Sequence, residues 1–151
     1  MIKEAFQVRR IQESCKITIR YMKKVMAQGT FDILHPGHLH YFKQSKKLGD
    51  HLTVVISRDS RVKEKKNLYF SEYERLEMVE AIKHVDEAVL GSEGDIYQTV
   101  EEIDPDIITL GYDQEHEKVD VKEMAEKAIS HEVEVFRISG KKSYSSSEIR
   151  D

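Results

Sequence analysis

At 151 residues, 39% hydrophobic and 34% charged, the chain has the size and make-up of one ordinary soluble domain with a real core. Its net charge of −4 argues against a general nucleic-acid binder, and a single cysteine, Cys15, excludes an internal disulfide or a cysteine-based zinc cluster. No apolar run approaches the roughly 20 residues that span a bilayer and no signal-peptide pattern opens the chain, so the expected location is cytoplasmic, with no membrane or nucleic-acid partner.

Residues 1–23 stand apart as an extension. Ile2, Ala5, Phe6 and Arg9 could start a basic amphipathic helix, Ile17-Thr18-Ile19 reads equally as a strand, and the extension is assigned no role. From residue 24 to residue 151 the pattern is that of one domain in which strands and helices alternate. Segments 25–27, 52–57, 87–90, 107–110 and 133–138 are short and rich in Val and Ile, as buried parallel strands are. The first helix spans 36–48, with Pro36 at its first position, Leu39, Phe42 and Leu48 along it and Gly49 ending it.

A second helix starts at Ser71, which forms a capping box with Glu74 and turns Leu76, Val79 and Ile82 inward. A third begins near Asp95, with Gln98 three residues on, and stops before Pro105. The fourth covers 119–130, its apolar stripe made by Val121, Met124, Ala125, Ala128 and Ile129. Such alternation predicts an α/β fold: a Rossmann-like, five-stranded parallel sheet with helices on both faces. Ligands then bind beyond the carboxyl ends of the strands.

One stretch sits at that edge: Gly29-Thr30-Phe31-Asp32-Ile33-Leu34-His35-Pro36-Gly37-His38. A strand, a glycine turn and a helix start aim free backbone N–H groups and the positive end of a helix dipole at one spot. Two imidazoles three residues apart share a face of the first turn. Gly37 lowers helix propensity and removes a side chain where a ligand could approach. A polyphosphate is the anion such a site suits.

Gly29-Thr30-Phe31-Asp32 with His35-Pro36-Gly37-His38 resembles the HxGH signature of the nucleotidyltransferase superfamily, and its cytidylyltransferase-like branch more closely. The likeness continues through Leu48-Gly49-Asp50, Ser57-Arg58-Asp59, Arg75, Val85-Asp86, Leu110-Gly111-Tyr112-Asp113-Gln114 and Ser145-Ser146-Ser147-Glu148-Ile149-Arg150. Within the branch, the Gly111–Gln114 run and the overall length look most like archaeal-type FAD synthases, which transfer AMP from ATP to FMN and release pyrophosphate. The near alternative is glycerol-3-phosphate cytidylyltransferase, which uses CTP. A non-catalytic nucleotide-binding module is the alternative from another class.

The resemblance implies in-line attack by an acceptor phosphate on the α-phosphorus. An already ionised phosphate needs positioning and cationic stabilisation more than a strong base. By the same resemblance His35 and His38 are catalytic and contact the triphosphate, with Thr30, Phe31, Pro36 and Gly37 around them and donors expected from Thr30 and Phe31. Lys63 and Lys65, in the loop 61–66, would bind phosphates of both substrates. Arg75 is expected to contact a phosphate, a helix-surface salt bridge to Glu72 being the competing reading. Asp113 would meet the ribose or base, or else shape a turn, and Ser145, Ser146 and Ser147 would hold the outer phosphates. Mg²⁺ or another divalent cation, carried chiefly by substrate phosphates, and a homodimer complete the expectation.

Overall fold

The structure, a computed structural model, describes residues 22–62 and 67–140. In chain order it contains β1 (Lys24–Gly29), α1 (Pro36–Lys47), β2 (His51–Ile56), a 3-10 turn (Asp59–Arg61), α2 (Glu72–Glu80), β3 (Glu87–Leu90), α3 (Ile96–Ile103), β4 (Ile107–Leu110), α4 (Lys118–Ala128) and β5 (Glu134–Arg137). The strands pair in parallel in the order β3-β2-β1-β4-β5. The α/β, Rossmann-like architecture is the one expected from the alternation.

Successive strand residues face opposite ways, which sorts the apolar side chains into two cores. Val25, Ala27, Leu52, Val54 and Ile56 meet Tyr41 and Phe42 of α1 and Val79 of α2. On the other face Met26, Val55, Ile108 and Leu110 meet Val100 of α3 and Val121 and Ala125 of α4. Burial on both faces explains why the strands read as nearly continuous apolar runs. Ile82 packs against the first core from beyond the end of α2.

Helix ends follow local chemistry with two departures. Ser71 and Glu74 form the expected capping box on α2. Asp95 caps α3 by accepting from the Tyr97 amide, but Gln98 completes no box; its side chain bonds Ser92 and Glu102 instead. Gly49 does not terminate α1 through a left-handed turn: Leu48 is the C-cap in a right-handed conformation, and no described glycine has positive φ. Glycine stands there because an ideal Cβ would lie 2.7 Å from the Lys23 carbonyl oxygen, where the chain packs against the start of β1.

The sheet splits where the site lies. β1 pairs with β2 as far as Gly29, but with β4 only across Val25, Met26 and Ala27. Side chains therefore take over the next backbone groups. The Tyr41 hydroxyl accepts from the Gln28 amide at 3.4 Å and donates to the Thr109 carbonyl at 2.7 Å, while the Gln114 side-chain amide donates to the Gln28 carbonyl at 2.9 Å. Ser45 and Thr109 hydroxyls bond at 2.8 Å behind them. Burial pushes the Tyr41 phenol up to about 12, so it remains a neutral hydroxyl. This is the topological switch point, β1 leading outward to β2 and β4 to β5. No helix among the described residues is long and apolar enough to cross a membrane.

Candidate active site

His35 and His38 cap the helix that carries them. His35 is the extended N-cap of α1, and its Nδ1 accepts from the Gly37 amide at 3.1 Å. His38 Nδ1 accepts in return from the His35 amide at 3.3 Å. The result is a capping box built from two imidazoles, with Pro36 at the first helical position. An imidazole nitrogen that accepts a hydrogen bond bears no proton, so the ring N–H is on Nε2 in both residues. The rings stack with centroids 3.8 Å apart and an interplanar angle of 26°. Burial, and then the neighbouring His35, hold the His38 pKa down to about 3. His38 is thus a neutral donor through the physiological range.

This revises the expectation of free backbone N–H groups. Gly37 donates to His35 Nδ1, the His38 and Leu39 amides donate to the His35 carbonyl, and Pro36 has no N–H. The helix start still offers its dipole, but its hydrogen-bond donors are imidazole N–H groups.

Phe31 sits at φ 55°, a left-handed conformation that costs a residue with a side chain roughly 1–2 kcal/mol. Its ring is buried, packs edge-on against His38 and contacts Phe42. An ideal Cβ on Gly29 would lie 2.6 Å from that ring, so the glycine at the end of β1 makes room for Phe31. The side chain of Phe31 is therefore a wall of the site and supplies no donor.

Arg75 also departs from expectation. It is fully buried, and Glu72 is not its partner. Its guanidinium donates to the carbonyls of Thr30 at 2.8 Å, Ser57 at 2.9 Å and Phe70 at 3.2 Å, and to Asp59 Oδ1 at 2.5 Å. Glu72 instead accepts from Arg58 and from the Asp59 amide, both at 2.9 Å. Enclosed in this way, Arg75 presents no face to a phosphate; it holds the turns after β1 and β2 together.

Asp32 is buried too, and accepts from the Tyr69 and Phe70 amides at 3.0 Å. Asp32, Arg75 and Glu72 between them fasten both flanks of the lysine-bearing loop. Lys63 and Lys65 themselves, like Ser145, Ser146 and Ser147, lie outside the described residues.

Beyond β4, Asp113 is exposed on a turn. That turn is held by Gln114, whose Oε1 accepts from the Gly111 amide at 2.9 Å, and by Arg137 of β5, which donates to the carbonyls of Gly111 and Gln114 at 2.9 and 2.7 Å. His40 bonds the Ser139 carbonyl, so the described chain ends alongside α1. Asp32, Tyr41, Gln114 and Arg137 received no role from the sequence; only Asp32 and Gln114 carried a signal, as members of quoted motifs.

A split parallel sheet with paired, proton-donating imidazoles at the switch point defines an α/β nucleotide-binding domain of the HxGH type. Residues 26–151 match the model of the cytidylyltransferase-like family, and the chain belongs to that family. It is 48% identical over 120 residues to a protein named FAD synthase from Ferroglobus placidus, across 80% of this chain and 78% of that one. A protein of the same name from Thermoplasma volcanium is 49% identical over 119 residues, covering 78% and 83% of the two chains. Among solved structures, one described as a lipopolysaccharide core biosynthesis protein from Thermoplasma volcanium is similar with a TM-score of 0.76 and 48% identity, over 80% of this chain and 99% of that one. A protein of unknown function from Archaeoglobus fulgidus, at 18% identity and a TM-score of 0.63, shares the fold.

Proposed function

We propose that this protein is an FMN adenylyltransferase, joining the AMP moiety of ATP to FMN and releasing pyrophosphate. The observation that carries the proposal is the pair of Nε2–H imidazoles at the head of α1, read with the FAD synthase name shared by relatives at 48–49% identity. A phosphate oxygen of FMN attacks the α-phosphorus of ATP; one P–O bond forms, and the bond to the β-phosphate oxygen breaks in line. Negative charge grows on the equatorial and leaving oxygens, where neutral N–H donors and the α1 dipole act. A donor of this kind is worth about 10²–10³ in rate. No general base is required, since the attacking phosphate is already ionised.

Lys63 and Lys65 are the proposed mobile cations of this reaction and Ser145, Ser146 and Ser147 the proposed outer-phosphate ligands. Asp113 is the proposed contact to ribose or base. The cation, Mg²⁺ or a similar divalent ion, would enter on the triphosphate. The donor set fits that arrangement: a ring nitrogen that carries a proton is no metal ligand, so substrate oxygens must supply the coordination. When bound, the cation would neutralise phosphate charge. A cytoplasmic homodimer, with residues 1–23 outside the catalytic unit, is the proposed setting.

The test is turnover with defined pairs. ATP, Mg²⁺ and FMN should yield FAD and pyrophosphate in equal amounts. Product from CTP and glycerol 3-phosphate instead would favour the cytidylyltransferase reading that the family model allows. Nucleotide binding with no turnover on either pair would leave a binding module.

A further inference from the structure

Beside the histidine pair, across the tops of β1, β2 and β3, lies a second feature to which none of the chemistry above is assigned. An open cleft of about 480 Å³ runs between the carboxyl ends of these strands and the start of α3. That volume falls within the range of about 300–1,000 Å³ common to small-molecule sites. Resting on the proposed FMN reading, we propose that this cleft receives the flat tricyclic ring of the flavin acceptor.

The floor is apolar: Met26, Val55, Val100 and Ile96 contribute to it. Ile96 is 43% exposed at the first position of α3, so a large side chain stands at the mouth with no protein covering it fully. Such a surface suits a ligand with two apolar faces. The rim is polar, and the Gln28 side chain there can both donate and accept, as the hydrogen-bonding edge of a heterocycle requires.

The cations at the cleft point the same way. Arg58 uses its Nε on the Gly91 carbonyl at 2.8 Å and its Nη1 on Glu72 at 2.9 Å. Arg61 donates to the carbonyls of Glu93 and Gly94. Guanidinium edges engaged on protein acceptors are poorly placed to fork onto a phosphate, yet their planar faces remain suited to stacking on an aromatic ring. An anion would find fewer donors here than at α1; an electron-rich or extended π-system finds a lined slot.

Position supplies the link to catalysis. Ser57 lines the cleft, and its amide bonds the Gly29 carbonyl at 2.9 Å. Its own carbonyl shares Arg75 with that of Thr30, in the turn leading to His35. A ring seated over β1 and β2 therefore leaves its phosphate tail within reach of the switch point, on the opposite side of β1 from β4 and the Asp113 turn.

Ile96→Trp would fill the mouth, and Ile96→Glu would put a charge on the floor while suiting a helix start. Binding is read by flavin fluorescence with FMN alone, apart from any turnover, and ATP binding is measured in parallel. We expect both variants to weaken FMN at least tenfold with ATP affinity changed less than twofold and the melting temperature retained. FMN binding equal in wild type and variants, no FMN binding by any of them, or loss of ATP binding with FMN retained would each overturn the assignment. Because FMN binding is read without turnover, a wild type that binds FMN in this cleft but forms no FAD would uphold the cleft and sink the adenylyl-transfer reading.

Discussion

The ring of Phe31 meets the imidazole of His38 edge-on, with centroids 5.3 Å apart at 83°, and it does so from a left-handed backbone over a glycine. The geometry of the histidine pair thus depends on the absence of a side chain nine residues earlier. Gly29→Ala would put a methyl group 2.6 Å from the Phe31 ring and force it toward His38. The expected result is a loss of about 1–3 kcal/mol in urea unfolding and a larger fall in turnover than in nucleotide affinity. Wild-type turnover in this variant would show that the ring does not position the pair.

The two nitrogens of each histidine can be separated by substitution. Asparagine is a good helix N-cap and can imitate an Nδ1 acceptor, but it cannot reproduce the Nε2–H. His35→Asn should keep most of the stability and lose about 10²-fold or more in kcat. His35→Ala should lose the activity and about 1 kcal/mol of stability besides. Thermal melts beside steady-state rates decide the matter; equal activity in His35→Asn and wild type would remove Nε2 from the chemistry.

For Arg75 the enclosed guanidinium predicts that charge alone will not serve. Arg75→Ala strands the carbonyls of Thr30, Ser57 and Phe70, and should cost about 3 kcal/mol or more. Arg75→Lys keeps the charge but lacks the fork, and should recover little of the stability or the turnover. A lysine variant of near wild-type stability and rate would mean that the residue serves as a point charge on a phosphate.

Two histidines should bend the pH–stability profile in opposite senses. His38 has its pKa lowered to about 3 by burial and His35, whereas in the unfolded chain it titrates near 6.5. The unfolded state therefore takes up the proton first, and stability falls as pH drops from about 6.5 toward 3, by up to about 1.4 kcal/mol per unit. His131 donates from both ring nitrogens, to the Glu132 carbonyl and to Asp104 Oδ1 at 2.8 Å, and its pKa is raised by the carbonyl and then by Asp104. Its contribution is complete below pH 6.5 and disappears as pH climbs through the raised value. Urea midpoints of His38→Asn and His131→Gln across pH 4–9 should each lose one limb of the wild-type profile. An unchanged acid limb in His38→Asn would contradict the assignment.

Much of this architecture was legible because it is written locally. Strands such as 52–57 are buried on both faces, so their composition alone marks them, and Ser71 with Glu74 places both halves of a capping box within one turn. The histidine box has the same spacing, yet histidine is so seldom a cap that its pattern suggested a ligand and left the helix amides looking free. Arg75 was misread for a different reason. Helix spacing offers it only Glu72, whereas its partners are Asp59 and the carbonyls of Thr30, Ser57 and Phe70, from 5 to 45 residues away. Nothing in those positions taken singly marks an acceptor for a buried arginine. The cleft over β2 and β3 was invisible for the same reason, being assembled from four separate segments.

The central claim is that the imidazole N–H groups at the head of α1 grip the triphosphate at the phosphorus to be attacked. A crystal of the protein with α,β-methylene-ATP, whose bridging carbon blocks cleavage, tests it most directly. The account predicts His35 and His38 Nε2 at hydrogen-bond distance, about 3 Å, from oxygens of the α- and β-phosphates. A triphosphate bound elsewhere, with both imidazoles untouched, would contradict it.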